Sequence, residues 1–236
     1  MAAIIFDLDG TLVDSVHDIH AAVNRMLADH GDAPMDIAQV RSFIGNGVPA
    51  LIGKVMAARG ENPDDAALHA DREACFMRHY MAAPADLGRP FPGVIAALDA
   101  LVAAGHRLGV CTNKPVEPAR AILRDLGLAD RLPVVIGGDS LPVRKPDPAP
   151  LLAAAKALGG SPALYVGDSE VDAEAAQRAG LPLLLFSGGY RKTPVADLPN
   201  TGVFDAFAEL HGLGAGLRVR PRAGRPRPPT HRSPNG

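Results

Sequence analysis

Two aspartates, Asp7 and Asp9, follow a short apolar run at residues 2–6 and stand just before Gly10. Such a run is typical of a buried parallel strand, and a glycine suits the sharp turn after it because glycine tolerates positive φ. Both carboxylates would point the same way, and such close like charges repel unless a cation or a proton lies between them. The pattern predicts a site for a hard divalent cation, Mg²⁺ above all, with one carboxylate able to attack phosphorus. The alternative is a turn in which Asp9 only caps the loop.

Four more polar residues lie near the ends of later apolar runs. Thr112 and Asn113 follow a run that ends at Cys111, Asp168 follows another, and Lys145 stands before the helix that precedes the Asp168 strand. Ligands of parallel α/β sheets bind at the carboxyl ends of the strands, so we expect these residues to gather at one edge. Each also has a plainer structural explanation, but together they form one balanced set of charges.

The charges of this set match a phosphate monoester, which carries about two negative charges at neutral pH. Mg²⁺ on Asp7, Asp168 and the backbone carbonyl of Asp9, together with Lys145, would neutralise them so that a carboxylate nucleophile can approach. Asp9 would then be free to act as general acid toward the leaving oxygen and as base toward water.

Phosphoryl oxygens also need hydrogen-bond donors. The sequence offers the Thr112 hydroxyl and backbone N–H groups, those of Asn113 and Gly10 among them.

The remaining elements predict an α/β fold, a doubly wound parallel five-stranded Rossmann-like core sheet with an inserted all-helical cap domain. After residue 93, helices and short apolar strands alternate. Predicted helices lie at 94–104, 118–126, 150–158 and 173–179, and predicted strands at 2–6, 107–111, 134–136, 164–166 and 183–186. Four helices at 15–30, 36–44, 48–56 and 62–80 form the insertion, with no convincing strand among them.

This order predicts three regions. Residues 1–14 plus 88–212 form the Rossmann-like catalytic core, 15–87 the helical cap, and 213–236 an Arg/Pro-rich tail that is expected to be disordered. The tail holds six of the 24 basic side chains and no acid, so residues 1–212 carry 18 basic against 26 acidic groups, a net charge of −8. An acidic body argues against nucleic acid as a partner.

Composition limits the class of protein further. The chain has 236 residues, 47% of them hydrophobic and 4% aromatic, with no Trp, which favours an aliphatic α/β protein. Its two cysteines form no metal-ligand spacing and are expected to be reduced. No run is long enough to span a membrane and no basic leader precedes the first strand, so we predict a cytoplasmic protein without membrane partners; its oligomeric state stays open.

Four segments resemble the motifs of the haloacid dehalogenase superfamily, in the same order. They are residues 7–15 (DLDGTLVDS), 111–114 (CTNK), 145–148 (KPDP) and 166–172 (VGDSEVD). The cap position and the segments 41–47 (RSFIGNG) and 187–190 (SGGY) make the chain similar to bacterial phosphoglycolate phosphatases within it.

The resemblance implies Asp7 as nucleophile, Asp9 as acid/base, Mg²⁺ on Asp7, Asp9 and Asp168, and Asp172 as support for the metal ligands or Lys145. It also implies hydrolysis of 2-phosphoglycolate to glycolate and phosphate through an aspartyl-phosphate. The family's dehalogenases and phosphonate hydrolases differ at the position of Asp9, which therefore favours a phosphatase.

Substrate choice is expected to come from the cap closing over the core. Arg41 could pair with the carboxylate of 2-phosphoglycolate, Lys54 could contact it or lie on a charged face, and His17 is a third candidate. A solvated helix arginine is an equal interpretation of Arg41.

Three alternatives stay open. A broad sugar or small-molecule phosphatase and a sugar-phosphate mutase would use the same core. A non-catalytic phosphoacceptor module would combine similar residues, but with its acceptor Asp and acidic pair on different strands.

Overall fold

A computed structural model of the chain describes residues 1–160 and 163–210. The predicted tail at 213–236 lies outside the described residues.

The centre of the fold is a parallel sheet in the order β5-β4-β1-β6-β7-β8. Its strands are β1 Ala3–Phe6, β4 Arg107–Cys111, β5 Val134–Ile136, β6 Ala163–Gly167, β7 Leu183–Phe186 and β8 Gly202–Phe204. The doubly wound parallel sheet is thus confirmed, with six strands where five were predicted. The added strand β8 is three residues long and lies at the edge, where a single buried side chain gives little apolar pattern to detect.

Helices cover both faces of this sheet. These helices are α5 Val94–Ala103, α6 Val116–Asp125, α7 Ala149–Ala157 and α8 Glu170–Ala179. Alternate residues of β1 face opposite sides of the sheet. Ile4 and Phe6 pack in one apolar cluster with α5 and α6, and Ala3 and Ile5 pack in another with α7 and α8. Helices α6 and α8 begin two and three residues before their predicted starts.

The insertion predicted after the first strand is helical throughout. Its helices are α1 Val16–Asp29, α2 Ile37–Phe43, α3 Val48–Ala58 and α4 Ala66–Ala82. Two short strands, β2 Val13–Asp14 and β3 Arg89–Pro90, pair antiparallel where the chain enters and leaves this segment. These two-residue strands were not predicted, because two residues carry no periodic signal.

The entry and exit of the helical segment are also joined by Asp18. Its buried carboxylate accepts hydrogen bonds from the N–H groups of Leu87, at 2.8 Å, and Gly88, at 2.7 Å. A side chain at Gly88 would bring a Cβ within 2.6 Å of Asp18 Oδ2. The helices therefore start and end at one fixed point beside the sheet.

Within residues 1–160 and 163–210, every helix is too short or too polar to cross a lipid bilayer.

Candidate active site

The carboxyl ends of β1, β4 and β6 meet at one edge of the sheet, as predicted. Asp7, Thr112 and Asp168 each come directly after the last residue of their strand. One carboxylate oxygen from each of Asp7, Asp168 and Asp172 lies within 4.8 Å of the others, and all three side chains are buried. Strand order alone brings these distant parts of the chain together.

Asp172 is fully occupied by hydrogen bonds. Its Oδ1 accepts from Lys145 Nζ at 2.8 Å and from the Tyr165 hydroxyl at 2.7 Å. Its Oδ2 accepts from the N–H groups of Asp168 and Ser169 and from Ser169 Oγ, which closes a capping box on α8. Burial would raise the pKa of Asp172, but Lys145 and these donors hold it below its ordinary value.

Lys145 joins Asp172 to Asp7. Its Nζ lies 2.9 Å from Asp7 Oδ1 and donates to the Tyr165 hydroxyl at 2.7 Å. Burial lowers the pKa of Lys145, yet the Asp172 and Asp7 carboxylates outweigh burial and raise it, so the ammonium stays charged.

Asp7 and Asp168 carry more negative charge than this lysine can balance. Burial raises the pKa of Asp7 from 3.8 to about 7, although Lys145 opposes the shift. Burial and the neighbouring Asp172 and Asp7 carboxylates raise the pKa of Asp168 well above its ordinary value. The cluster contains three carboxylates and one ammonium, and the atoms that it could offer to a metal ion are all oxygens. This cluster suits a hard divalent cation, which would supply the missing positive charge.

Both carboxylate oxygens of Asp168 are held in place by hydrogen bonds. Asp168 Oδ1 accepts from Thr11 Oγ1 at 2.7 Å, and Oδ2 accepts from the N–H of Tyr190 at 2.6 Å. Gly10 has φ +89°, and a Cβ there would lie 2.7 Å from Asp168 Oδ2. Only glycine fits that turn beside the carboxylate.

Asp9 lies in a different environment, where one carboxylate meets one ammonium. Lys114 Nζ donates to Asp9 Oδ1 at 2.9 Å and Oδ2 at 2.8 Å, and Ser15 Oγ donates to Oδ1 at 2.5 Å. Burial lowers the pKa of Lys114, but the neighbouring Asp9 outweighs burial and raises it, so the ammonium stays charged. Ser15 stands at the N-cap position of α1, but its hydroxyl bonds Asp9 rather than a backbone N–H of the helix.

The groups predicted to contact phosphate differ in whether their protons are already used in hydrogen bonds within the protein. Thr112 is buried, and its Oγ1 accepts the Lys114 N–H at 3.2 Å, while its hydroxyl proton has no acceptor in the described parts of the chain. The Asn113 amide donates to the carbonyls of Gly45 and Lys145, so its side chain ties the α2–α3 turn to the Lys145 loop. The backbone N–H of Asn113 has no acceptor among residues 1–160 and 163–210.

Gly10 is not available as predicted. Its N–H already donates to the carbonyl of Val13 at 2.9 Å, because the turn after Asp9 folds back on itself.

A cleft of about 530 Å³ separates the helical segment from this sheet edge. Its polar floor includes Asp7, Asp9, Thr112 and Lys114. Its other lining is largely apolar and comes mainly from the helical segment: Ile19, Ile44, Val48, Leu51, Phe76 and Tyr80. A second opening of about 400 Å³ reaches Asp7 and Asp168 from the side of Tyr190 and Lys192.

The three residues predicted to set substrate choice line neither opening. Arg41 donates to the carbonyl of Gly189 at 2.9 Å, and its guanidinium lies 5.0 Å from the centre of the Tyr190 ring. Lys54 donates to the carbonyl of Phe43 at 3.2 Å, and burial lowers its pKa. His17 is exposed on the first turn of α1.

Lys114, Tyr165 and Tyr190 were not singled out from the sequence. Lys114 belongs to the segment 111–114 that carried the resemblance, so the motif match could have identified it as a site residue. Tyr190 belongs to the segment 187–190, which also carried the resemblance. Tyr165 had no such signal, since an aromatic residue in a strand is usually part of the core.

Comparison with known proteins places the chain among hydrolases. The model of the haloacid dehalogenase-like hydrolases matches residues 1–180. A phosphoglycolate phosphatase of Cereibacter sphaeroides is 55% identical over 213 residues, which cover 90% of this chain and 97% of that protein. A phosphoglycolate phosphatase of Rhodospirillum rubrum is 48% identical over 214 residues and 88% of each chain.

Solved structures agree with the fold. A predicted phosphoglycolate phosphatase from Haemophilus somnus superposes with a TM-score of 0.84 at 31% identity, over 90% of this chain and 97% of that one. CbbY from Rhodobacter sphaeroides, solved in complex with phosphate, has a TM-score of 0.77 at 26% identity, over 93% and 98% of the two chains.

Proposed function

Because the chain belongs to the haloacid dehalogenase-like hydrolases, we propose that it is a phosphatase whose substrate is 2-phosphoglycolate. The observation that carries the proposal is the pair of aspartates at the end of β1, one in a cluster short of positive charge and one held by a lysine. The names of relatives at 55% and 48% identity support the substrate.

In this proposal Asp7 is the nucleophile and forms an aspartyl-phosphate. An Asp7 carboxylate oxygen attacks phosphorus as the bond from phosphorus to the leaving oxygen breaks. Lys145, 2.9 Å from Asp7 Oδ1, holds the carboxylate in place and offsets negative charge. Asp172 and Tyr165 in turn position Lys145.

Asp7, Asp168 and the carbonyl of Asp9 are the groups proposed to hold Mg²⁺. The excess of buried carboxylates and the all-oxygen donor set support this cation. When bound, Mg²⁺ supplies positive charge that stabilises the phosphoryl group.

Thr112 and the backbone N–H of Asn113 are proposed to donate to the phosphoryl oxygens. Both groups lie at the end of β4, next to Asp7 in the lining of the cleft. Because the Asn113 side chain is already bonded to Gly45 and Lys145, its contribution is from the backbone alone.

Asp9 is proposed as general acid and base. In its protonated form Asp9 gives a proton to the leaving oxygen. As a carboxylate it then takes a proton from the water that attacks phosphorus and releases Asp7, which restores the protonated form for the next turnover. Its bonds to Lys114 and Ser15 keep the carboxyl group in the cleft rather than with the Asp7 cluster.

The proposed division into domains would place this site between the core and the cap. We propose that residues 1–14 and 88–212 act as the core and 15–87 as the cap, joined at β2 and β3. A cytoplasmic location, small-molecule substrates and no nucleic-acid partner stay predictions from composition.

The test is phosphate release from a panel of substrates led by 2-phosphoglycolate, with and without Mg²⁺. We expect a clear preference for 2-phosphoglycolate, and a loss of at least roughly 10³-fold in kcat for Asp7→Asn. Asp99→Asn is the matched control, because Asp99 is an exposed carboxylate paired with Arg131.

Equal release from many phosphates would retain the mechanism and reject the substrate. Conversion of a sugar phosphate without release of phosphate would indicate a mutase instead. A stable phosphoprotein without turnover would indicate a phosphoacceptor module.

A further inference from the structure

One buried cation in the cleft is not among the groups proposed to bind phosphate. Lys114 is 7% exposed and, among residues 1–160 and 163–210, is the only lysine or arginine that lines the 530 Å³ opening. Lys145, the other buried lysine near Asp7, is held behind it by Asp172 and Tyr165. Substrate groups beyond the phosphate would therefore meet Lys114 first.

The position of Lys114 relative to Asp9 limits which substrate group it can reach. An acid that protonates the leaving oxygen must touch that oxygen, and Lys114 Nζ is within 2.9 Å of both Asp9 oxygens. In 2-phosphoglycolate a single methylene separates the leaving oxygen from the carboxylate. The carboxylate thus comes close to Lys114 whenever Asp9 contacts the leaving oxygen.

Tyr80 presents a second donor at the same place. Its hydroxyl is buried beside Lys114, and the hydroxyl proton has no acceptor among residues 1–160 and 163–210. Lys114 Nζ lies 4.7 Å from the centre of the Tyr80 ring, and that ring stacks on Phe76 with centroids 5.5 Å apart. An unpaired buried hydroxyl costs free energy, so a ligand that accepts its proton gains from filling this position.

The lining around these two donors is apolar. Ile19, Val48, Leu51 and Phe76 surround the opening and offer no charged group to a substrate. Of the described side chains in this lining, Lys114 and Tyr80 are the donors that are neither assigned to phosphate nor bonded to backbone carbonyls, so a carboxylate there would contact them. An ammonium has three protons to donate, so Lys114 can keep Asp9 and bind a second anion.

We propose that Lys114 and Tyr80 form the subsite that binds the substrate carboxylate, and so select short phosphorylated carboxylic acids. This inference rests on the proposed function. It assigns to a core lysine and an α4 tyrosine the role that the sequence suggested for Arg41 and Lys54.

The experiment compares kcat/KM for 2-phosphoglycolate with kcat/KM for ethyl phosphate, which has the same length but no carboxylate. The ratio of the two isolates the carboxylate contact, because any effect of Lys114 on Asp9 acts on both substrates. We expect Lys114→Gln to lower this ratio by about 10- to 100-fold, mainly through KM for 2-phosphoglycolate, and Lys114→Arg to restore part of it.

Tyr80→Phe is the second variant and changes a single hydroxyl that bonds nothing else in the described chain. We expect it to lower the same ratio roughly fivefold. Lys156→Gln, an exposed lysine on α7, is the matched control and should leave the ratio unchanged. Thermal unfolding of each variant establishes that it is folded before kinetics are compared.

The outcomes separate the two proposals. A wild-type enzyme that hydrolyses both phosphates equally well would reject 2-phosphoglycolate as the substrate. A wild-type preference that survives in Lys114→Gln and Tyr80→Phe would overturn the subsite alone. Loss of the preference in Lys54→Gln instead would assign the carboxylate to the lysine predicted from the sequence.

Discussion

Asp7 and Asp9 are two residues apart at the end of one strand, yet their surroundings differ in charge balance. Asp7 and Asp172 share one ammonium, Lys145, and Asp168 adds a third carboxylate to their cluster. Asp9 pairs with a different ammonium, Lys114. The first arrangement lacks positive charge, whereas the second matches one acid with one ammonium. Identical side chains thus acquire different chemistry from the elements packed against them.

The largest expected effect in this comparison comes from replacing Asp9, the acid that pairs with Lys114. Asp9→Asn keeps the shape of the side chain but cannot transfer a proton, so we expect kcat for 2-phosphoglycolate to fall by roughly 10²- to 10⁴-fold. Hydrolysis of p-nitrophenyl phosphate should fall much less in its first step, since nitrophenolate leaves without protonation. The measurement is the initial burst of nitrophenol beside steady-state release from 2-phosphoglycolate.

The opposite pattern would contradict the assignment. If Asp9→Asn slowed both leaving groups equally in the first step, Asp9 would serve in positioning rather than in proton transfer. Asp7→Asn, which removes the nucleophile, should abolish the burst with either substrate.

An effect of intermediate size is expected on stability when Mg²⁺ binds the cluster of Asp7, Asp168 and Asp172, which lacks positive charge. The pKa of Asp7 is raised from 3.8 to about 7, and that of Asp168 is also raised, so the fold without a cation favours the protonated carboxyls. Stability linked to these groups is present at acidic pH and is lost as pH rises from about 4 through about 7. A divalent cation removes this penalty, and protons compete with it.

We therefore expect saturating Mg²⁺ to raise Tm more at pH 8 than at pH 5.5, by on the order of 5 °C. Differential scanning fluorimetry at both pH values, with EDTA as reference, measures the difference. Asp168→Asn should abolish most of the shift, while Asp99→Asn should retain it. A shift that is equal at both pH values would contradict the excess of negative charge.

The smallest expected effect is on the free energy of unfolding, in a comparison of Tyr165, beside Lys145, with Tyr80, beside Lys114. Tyr165 donates to Asp172 and contacts Lys145, so Tyr165→Phe should lower the free energy of unfolding by about 1 kcal/mol. The Tyr80 hydroxyl proton has no acceptor in residues 1–160 and 163–210, so Tyr80→Phe should leave stability unchanged or raise it slightly. Urea unfolding of both variants gives the comparison, and equal losses would refute it.

Much of the fold was predictable because the strands are short, apolar and separated by amphipathic helices. The run before Asp7 and the run before Thr112 needed only the rule that parallel strands place their carboxyl ends together. Elements of two or three residues, such as β8 and the pair β2 and β3, were missed because they are stabilised by neighbours rather than by their own pattern.

Side-chain pairing was less predictable. For Asn113 the sequence predicted only a backbone N–H toward phosphate, and the bonds of its side-chain amide to Gly45 and Lys145 were not predicted. Arg41 was a candidate contact for the substrate carboxylate, and its bond to the carbonyl of Gly189 was not predicted either. Polar side chains choose partners by distance in space, and those distances depend on how the helical segment lies against the sheet.

The sequence by itself determined which residues stand at the carboxyl edge, because strand order and alternation follow from local apolar patterns. Asp7, Thr112 and Asp168 are there for that reason. Only the tertiary structure decided which ammonium meets which carboxylate. Lys114 is 105 residues from Asp9, and their contact depends on the packing of β4 beside β1. Charge balance in a buried site is a property of that packing, since electrostatic energy depends on separation in space and on burial.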